Sequence, residues 1–164
     1  VIDMQNDYLW EKRKAKFSYN TGELVKSVNN AVSLYKEKRY DVIYIAQMFP
    51  NIITNKWFIG FSIKGTEGAE LYSKLNVVSD LYFEKNLSDT YSSKEFREYM
   101  KKQSYTEVVL CGLDECGCVG ATAKGAVKTG VKVFLLENCI GSRFSDDKVR
   151  KMRDELTSLG VQYI

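Results

Sequence analysis

The sequence predicts a three-layer α/β/α fold around a mostly parallel, doubly wound sheet of five or six strands. Short apolar runs of strand length alternate along the chain with segments of helix length, which is typical of a parallel sheet covered on both faces. The chain has 164 residues, the length of one domain. Because no repeat, low-complexity run or linker divides it, we predict a single domain over residues 1–164.

The first elements are a short strand, a helix and a buried strand. "VIDM" has the composition of a strand end, so we expect that a few native residues precede Val1 and that this first strand is truncated here. A helix is predicted over 21–38, because its apolar residues recur on one face. "DVIYIAQM" at 41–48 is an almost continuous apolar run, as expected of a strand with both faces covered.

The remaining chain contains one long irregular stretch and then regular alternation. Residues 49–80 hold the only proline, and loops of this length usually carry function or short elements. Further strands are predicted at 81–85, 106–112, 131–136 and 161–164. Further helices are predicted at 92–103, 118–130 and 145–160, the last two stopped by Gly130 and Gly160.

The absence of histidine restricts the chemistry that is available to this chain. It excludes Ser-His-Asp and Cys-His catalysis, zinc proteases of the HExxH type and Cys2His2 zinc fingers. Acid–base chemistry near neutral pH must then use a carboxylate, a lysine, a tyrosine or a thiol with a shifted pKa.

Charge and cysteine content exclude several classes of partner. The formal net charge is only +3, and the two signs are mixed, so we expect no binding to nucleic acid or to a membrane. The most basic stretch, "EKRKAK" at 11–16, is interpreted as a solvated loop in preference to a phosphate site. No apolar run approaches the roughly 18 residues of a membrane span. Four cysteines without a secretory context predict a cytoplasmic protein.

Three reactive side chains are predicted to meet at one edge of the sheet. Parallel doubly wound sheets bind ligands at the carboxyl ends of their strands. Asp3 ends the first strand and Lys85 ends the strand at 81–85. Gly112 ends the next strand and leads into a helix that Cys116 or Cys118 begins. An acid, an amine and a thiol at one edge form our site hypothesis.

These groups have the chemistry of acyl transfer through a thioester. A helix N-terminus and a nearby ammonium lower the pKa of a thiol, so we expect a lowered pKa for Cys118. Asp3 could accept the thiol proton and return it to a leaving amine, with Lys85 keeping the carboxylate ionised. Backbone N–H groups of the turn from Gly112 to Cys118 would form an oxyanion hole. The expected reaction is hydrolysis of a small amide or a related C–N bond.

Four motifs in order resemble the isochorismatase-like cysteine hydrolases, a family that includes nicotinamidases and N-carbamoylsarcosine amidase. They are "VIDMQNDY", "GTEGAEL", "FEKNLSDTYSS" and "CGLDECGCVGATAKGAVKTGVKV". The resemblance covers nearly the whole chain and implies a catalytic set of Asp3, Lys85 and Cys118. It also implies a cis peptide bond between Leu113 and Asp114, with the amides of Asp114 and Cys118 as the oxyanion hole. Relatives commonly form dimers or tetramers, so a homodimer or homotetramer is expected.

The metal site of the nicotinamidases is the main departure from the family. In those enzymes an Asp and two His residues after the second strand bind a divalent metal. The matching stretch "AQMFPN" has Gln47 and Phe49 at the ligand positions, and the chain has no histidine. We therefore expect no metal and no other cofactor, and nicotinamide is a doubtful substrate. Aromatic residues near the crevice in sequence are the candidates for the substrate pocket: Tyr8, Trp10, Phe49, Trp57 and Phe61.

Two alternatives to a hydrolase stay open at this point. A catalytically silent member of the family could serve as a binding or assembly subunit, although the intact Asp3, Lys85 and Cys118 argue against it. Redox sensing through Cys116 and Cys118 is disfavoured, because a disulfide within a C-x-C pair is strained.

Overall fold

The computed structural model describes residues 1–164. Its α-helices are α1 (Asn6–Leu9), α2 (Thr21–Glu37), α3 (Ile53–Phe58), α4 (Lys94–Gln103), α5 (Gly120–Val127) and α6 (Asp146–Ser158). Its strands are β1 (Tyr44–Gln47), β2 (Tyr82–Lys85), β3 (Glu107–Leu113), β4 (Lys132–Gly141) and β5 (Gln162–Tyr163). None of the helices has the length and apolar character needed to cross a membrane.

All strand pairs are parallel, and one residue joins the two halves of the sheet. β1 pairs with β2, while β3 pairs with β4 and β4 with β5. Between the two halves, Ile2 forms parallel bridges to Ile45 of β1 and to Gly112 of β3. With this first segment counted as a strand, the order across the sheet is 3-2-1-4-5-6, which is the doubly wound order. The predicted fold class is confirmed.

The junction at which Ile2 pairs with both β1 and β3 is called the seam below. Gly112 permits the close approach of the first segment to β3 at this seam. The Ile2 amide donates to the Cys111 carbonyl oxygen and the Leu113 amide donates to the Ile2 carbonyl oxygen, each at 2.9 Å. Gly112 has φ +111°, and a Cβ at this position would collide with the Ile2 carbonyl oxygen. Only glycine combines this φ with that contact. The seam therefore holds the end of the first segment beside the end of β3.

Apolar side chains fill both faces of the sheet. Successive strand residues point to opposite faces, so Tyr44 packs into one cluster and Ile45 into the other. On one face α2 buries its predicted apolar stripe: Leu24, Val25, Val28 and Val32. On the other face α5 and α6 contribute Ala123, Ala126 and Leu156. Each cluster fills the space between the sheet and the helices on one face, and these helices are the outer layers of the α/β/α arrangement.

Several boundaries differ from the sequence-based prediction. The irregular stretch 49–80 contains α3 and a short 3₁₀ turn at Glu67–Ala69. β4 continues to Gly141, because its second half pairs with the end of β3 beyond a register shift. The helix predicted from residue 118 begins later, at Gly120. A widened π-type turn precedes it over Glu115–Val119, with Gly117 at the non-helical angles φ −123° and ψ −116°.

Candidate active site

A buried ion pair lies at the carboxyl edge of the sheet, where β2 and the first segment end. Lys85 Nζ donates to Asp3 Oδ2 at 2.9 Å, and their side chains are 0% and 4% exposed. Burial acts to lower the pKa of Lys85, but the charges of Asp3 and Cys118 outweigh it and raise this pKa. Lys85 is therefore a buried ammonium held by a carboxylate.

Gln47, which was predicted only to replace a metal ligand of the nicotinamidases, completes the surroundings of the Lys85 ammonium. Lys85 Nζ also donates to Gln47 Oε1 at 2.8 Å. Gln47 ends β1 beside the end of β2, since the two residues are partners in the parallel register. Gln5 fixes the Gln47 backbone by accepting from its amide at 2.9 Å and donating to its carbonyl at 3.0 Å. Gln47 is a polar residue at the end of a buried strand on the same sheet edge, and this position could have indicated its contact with Lys85.

Asp3 has an unusual backbone conformation, with φ +53°. Asp is one of the few residues other than glycine that adopts the left-handed region with some frequency. Its second carboxylate oxygen, Oδ1, is buried and accepts no hydrogen bond. A buried acceptor without a donor calls for an explanation at a functional site. This oxygen is available to receive a proton.

Cys118 lies beside this ion pair, but its pKa is shifted in the direction opposite to our expectation. Burial, and next the charge of Asp3, raise the pKa of the Cys118 thiol to about 12. The Lys85 ammonium lowers this pKa, but by less. The expectation of a thiol activated by Lys85 and a helix N-terminus is therefore wrong for the resting site. The reason is that Asp3 and burial both favour the protonated thiol.

The thiol of Cys118 is thus expected to stay protonated well above neutral pH. With a pKa of about 12, about 0.1% is thiolate near pH 9, compared with about half for an unshifted thiol. The measurement is the ultraviolet thiolate absorbance of the protein minus that of Cys118→Ala, followed from pH ~6 to ~9. A flat difference is the expected result. A thiolate band that appears near neutral pH would contradict it.

The two carboxylates of the "DECG" turn point away from Cys118. Asp114 Oδ2 accepts from the Tyr19 hydroxyl at 3.0 Å and from the Arg143 amide at 2.9 Å. Glu115, which is 2% exposed, accepts from Arg153 Nε at 2.7 Å. Both acids brace the turn, and their charges act on Cys116, where burial followed by these carboxylates raises the thiol pKa. Cys116 is accordingly a poor candidate for a reactive thiol.

The turn presents backbone donors next to Cys118. The Leu113–Asp114 peptide bond is cis, as the family resemblance implied. Asp114 accepts at its carbonyl from the amides of Gly117 and Val119, while its own amide makes no hydrogen bond within the chain. This amide and that of Cys118 are the predicted oxyanion-hole pair: the Asp114 amide directly follows β3, and the Cys118 amide belongs to the turn Glu115–Val119. A free N–H at this position can bind a developing oxyanion.

The structure brings some of the predicted pocket residues together and leaves others apart. Tyr8 is buried, and burial followed by the charge of Asp3 raises its pKa, so it lies near the ion pair. The rings of Tyr8, Phe17, Phe49 and Phe61, here called the aromatic wall, contact one another with centroid separations of 4.8–6.0 Å. Trp10 does not join these contacts. Trp57 is 83% exposed on α3, so the structure does not bring it into the crevice.

An apolar cavity lies elsewhere and contains none of the three reactive groups. It has a volume of about 150 Å³ and is lined by residues of the seam and of α2 and α4, including Val32, Ile43, Phe96 and Val108. The chemistry is concentrated at the opposite, carboxyl end of the strands. We therefore take the edge with Asp3, Lys85 and Cys118 as the candidate site.

Comparisons with known proteins agree on one family. The family model described as "Isochorismatase domain" matches residues 1–162. An uncharacterized isochorismatase family protein of Bacillus subtilis, YddQ, is 21% identical over 139 residues, which are 84% of this chain and 73% of that protein. The zinc complex of the pyrazinamidase of Pyrococcus horikoshii superposes with a TM-score of 0.85 at 21% identity, covering 100% of this chain and 96% of that one. N-carbamoylsarcosine amidase from Thermoplasma acidophilum gives 0.80 at 19% identity, covering 99% and 92%.

The residues of this chain do not fit a divalent metal like the zinc of the Pyrococcus protein. No group of three His, Cys, Asp or Glu side chains is placed to hold a metal ion. At the positions that the sequence comparison matched to metal ligands, the Gln47 amide oxygen is occupied by Lys85, and Phe49 packs against Phe61. Neither residue supplies the nitrogen or carboxylate ligand that such a site uses.

Proposed function

The chain belongs to the isochorismatase family, and from this premise we propose that it is a metal-independent cysteine hydrolase. Its substrate is a small amide or carbamoyl compound, and its reaction is cleavage of a C–N bond through a thioester intermediate. Cys118 is the nucleophile, Asp3 is the general base and acid, and Lys85 gives electrostatic support.

The observation that carries this proposal is the buried Asp3–Lys85 ion pair beside the Cys118 thiol. An ion pair taken out of water contributes little net stability, so a buried pair next to a reactive group is more readily explained by chemistry. The raised pKa of Cys118 defines the order of events. The thiol is protonated at rest and must lose its proton as it attacks.

In the first half of the reaction, Asp3 takes the proton of Cys118 while Sγ attacks the carbonyl carbon of the substrate. The unpartnered Oδ1 of Asp3 is the acceptor available for this proton. The amides of Asp114 and Cys118 stabilise the oxyanion that forms. Asp3 then donates the proton to the leaving nitrogen, the C–N bond breaks, and a thioester on Cys118 and a free amine remain.

In the second half, Asp3 takes a proton from water as the water oxygen attacks the thioester carbonyl. The same two amides stabilise the second oxyanion. The C–S bond breaks, the carboxylic acid leaves, and the proton on Asp3 returns to Sγ. Throughout, the Lys85 ammonium holds the Asp3 carboxylate in place through the ion pair at 2.9 Å.

The thioester gives the direct test of this function. A panel of small amides and carbamoyl compounds is assayed for ammonia release, and the protein is quenched in acid during turnover for mass spectrometry. We expect an acyl adduct on the peptide that contains Cys118, removed by hydroxylamine, for every compound that is turned over. Turnover with an adduct at another cysteine, or ammonia release that persists in Cys118→Ala, would contradict the assignment. A silent family member would release no ammonia from any compound.

A further inference from the structure

We propose that the substrate carries an anionic group, which Lys14, Lys16 and Arg143 bind at the rim of the site. This inference rests on the proposed function and names the substrate class that the same site accepts. It also gives a role to "EKRKAK" (11–16), a stretch with the composition of a solvated loop. The three residues are called the rim cations below.

The rim cations lie on the rings of the aromatic wall. Lys16 Nζ is 4.2 Å from the ring centroid of Phe61 and 5.0 Å from that of Phe17. Lys14 Nζ is 5.6 Å from the Phe61 centroid and donates to the Ile59 carbonyl oxygen at 2.8 Å. Arg143 Cζ is 4.5 Å from the centroid of its neighbour Phe144 and 5.8 Å from that of Phe17. The loop before α2 and the loop after β4 therefore bring cations over the same two rings.

The rim cations have no anionic partner within the chain. All eight ion pairs of the structure are made by other residues. The Arg143 charge acts on the Asp114 carboxylate without a direct ion pair, and Asp114 Oδ2 accepts instead from the Arg143 backbone amide and the Tyr19 hydroxyl. Burial, then the charges of Lys14 and Arg143, lower the pKa of Lys16, as expected where like charges converge.

The aromatic wall connects this charge to the reactive groups. Tyr8 contacts Phe17 at a centroid separation of 4.8 Å and Phe61 at 5.8 Å. The charges of Asp3 and Cys118 both act on the Tyr8 hydroxyl. Two aromatic rings, Tyr8 and then Phe17 or Phe61, thus connect the ion pair to the rim cations. A substrate that reaches Cys118 would lie along apolar rings with its outer end beside unpaired positive charge.

This arrangement favours a molecule with an amide at one end and an anion at the other. Unpaired cations near a crevice raise the local concentration of anions and weaken as salt screens them. An Arg and two Lys side chains suit a carboxylate or a phosphate group. The shared chemistry is a small anion on a short apolar body, and the experiment below distinguishes the two groups.

Iodoacetate and iodoacetamide test this inference, because they differ mainly in one negative charge. The rate of alkylation at Cys118 is measured for each reagent by peptide mass spectrometry, with glutathione as the reference thiol. We expect the iodoacetate-to-iodoacetamide ratio at Cys118 to exceed that of glutathione and to fall as salt is added. Lys16→Gln and Arg143→Gln are each expected to lower this ratio about threefold at low salt, with the iodoacetamide rate unchanged.

Lys102→Gln on α4 is the matched control, since it removes one exposed lysine charge outside the rim. It should leave both rates as they are. Equal ratios for Cys118 and glutathione, unaffected by Lys16→Gln and Arg143→Gln, would overturn the anion site while leaving the hydrolase proposal intact. Slow labelling of Cys118 by both reagents is expected from its protonated thiol, so only the ratio of the two rates bears on the anion site. Absence of the Cys118 thioester with every compound of the amide panel would overturn the hydrolase proposal and this inference with it.

Protection experiments identify the anion. Succinate and inorganic phosphate are added separately at millimolar concentration and constant ionic strength, and alkylation of Cys118 by iodoacetamide is followed. Slower alkylation with succinate alone assigns a carboxylate substrate, and slower alkylation with phosphate alone assigns a phosphate ester. Protection that disappears in the double variant Lys16→Gln/Arg143→Gln supports the site. Protection by neither anion contradicts it.

Discussion

Replacing Cys118 with alanine is expected to reduce amide hydrolysis by about 10⁴-fold or more. No other group at the sheet edge can form the covalent intermediate, and losing the nucleophile of a covalent mechanism leaves only binding and oxyanion stabilisation. The measurement is the rate of ammonia release at saturating substrate for the best compound of the amide panel. Folding of the variant is checked by circular dichroism. Little change is expected, because alanine keeps the Cβ of cysteine and lacks only the sulfur atom.

Cys116→Ala is the matched control for this loss. It makes the same chemical change two residues away, in a thiol whose pKa burial, Asp114 and Glu115 raise. We expect it to retain most of the activity. Equal losses in Cys116→Ala and Cys118→Ala would indicate that the two changes act through the turn and not through a nucleophile.

The second large effect concerns the buried ion pair. Lys85→Met leaves the Asp3 carboxylate buried without its ammonium, so the free energy of unfolding is expected to fall by about 3–5 kcal/mol. Asp3→Asn leaves the Lys85 ammonium buried without its carboxylate, so a loss of similar size is expected. Asparagine tolerates the positive φ of this position. The double variant Asp3→Asn/Lys85→Met removes both charges and is expected to regain most of the lost stability. Urea unfolding of the four proteins measures the coupling between the two residues.

Activity is expected to behave differently from stability in this cycle. All three variants should lose hydrolysis by about 10²-fold to 10⁴-fold, because each removes the base or its electrostatic support. The comparison belongs near neutral pH. Since the pKa of Lys85 is raised in the folded chain, the contribution of its charge is fully present below the unfolded value of about 10.4 and is lost only at higher pH. Normal turnover in Lys85→Met would remove this residue from the mechanism.

The order of elements and the meeting of three side chains were predictable from the sequence. Parallel strands end at a common edge, so residues that follow them, Asp3 and Lys85, had to lie near each other. The structure places the Lys85 ammonium 2.9 Å from the Asp3 carboxylate. Predicting this proximity needed only the alternation of strands and helices.

Other features depend on packing that no local pattern records. The direction of the Cys118 pKa shift is decided by burial and by Asp3, two terms that compete with Lys85. The orientation of Asp114 and Glu115 is decided by Tyr19 and Arg153, which are distant in sequence. The irregular stretch 49–80 has no periodicity that tells an interior ring from an exposed one, so the exposure of Trp57 on α3 was not predictable from the sequence.

The seam between the halves of the sheet determines the reaction geometry as well as the fold. One half contains Lys85 and the other leads into the turn with Cys118, while Asp3 follows Ile2, which joins the halves through Ile45 and Gly112. A slip of one residue there would move Asp3 by about 3.3 Å along the strand and turn its side chain to the opposite face. The proposed catalysis thus requires this strand register, which the hydrogen bonds of Ile2 with Cys111 and Leu113 fix and which the close approach of Gly112 to Ile2 permits.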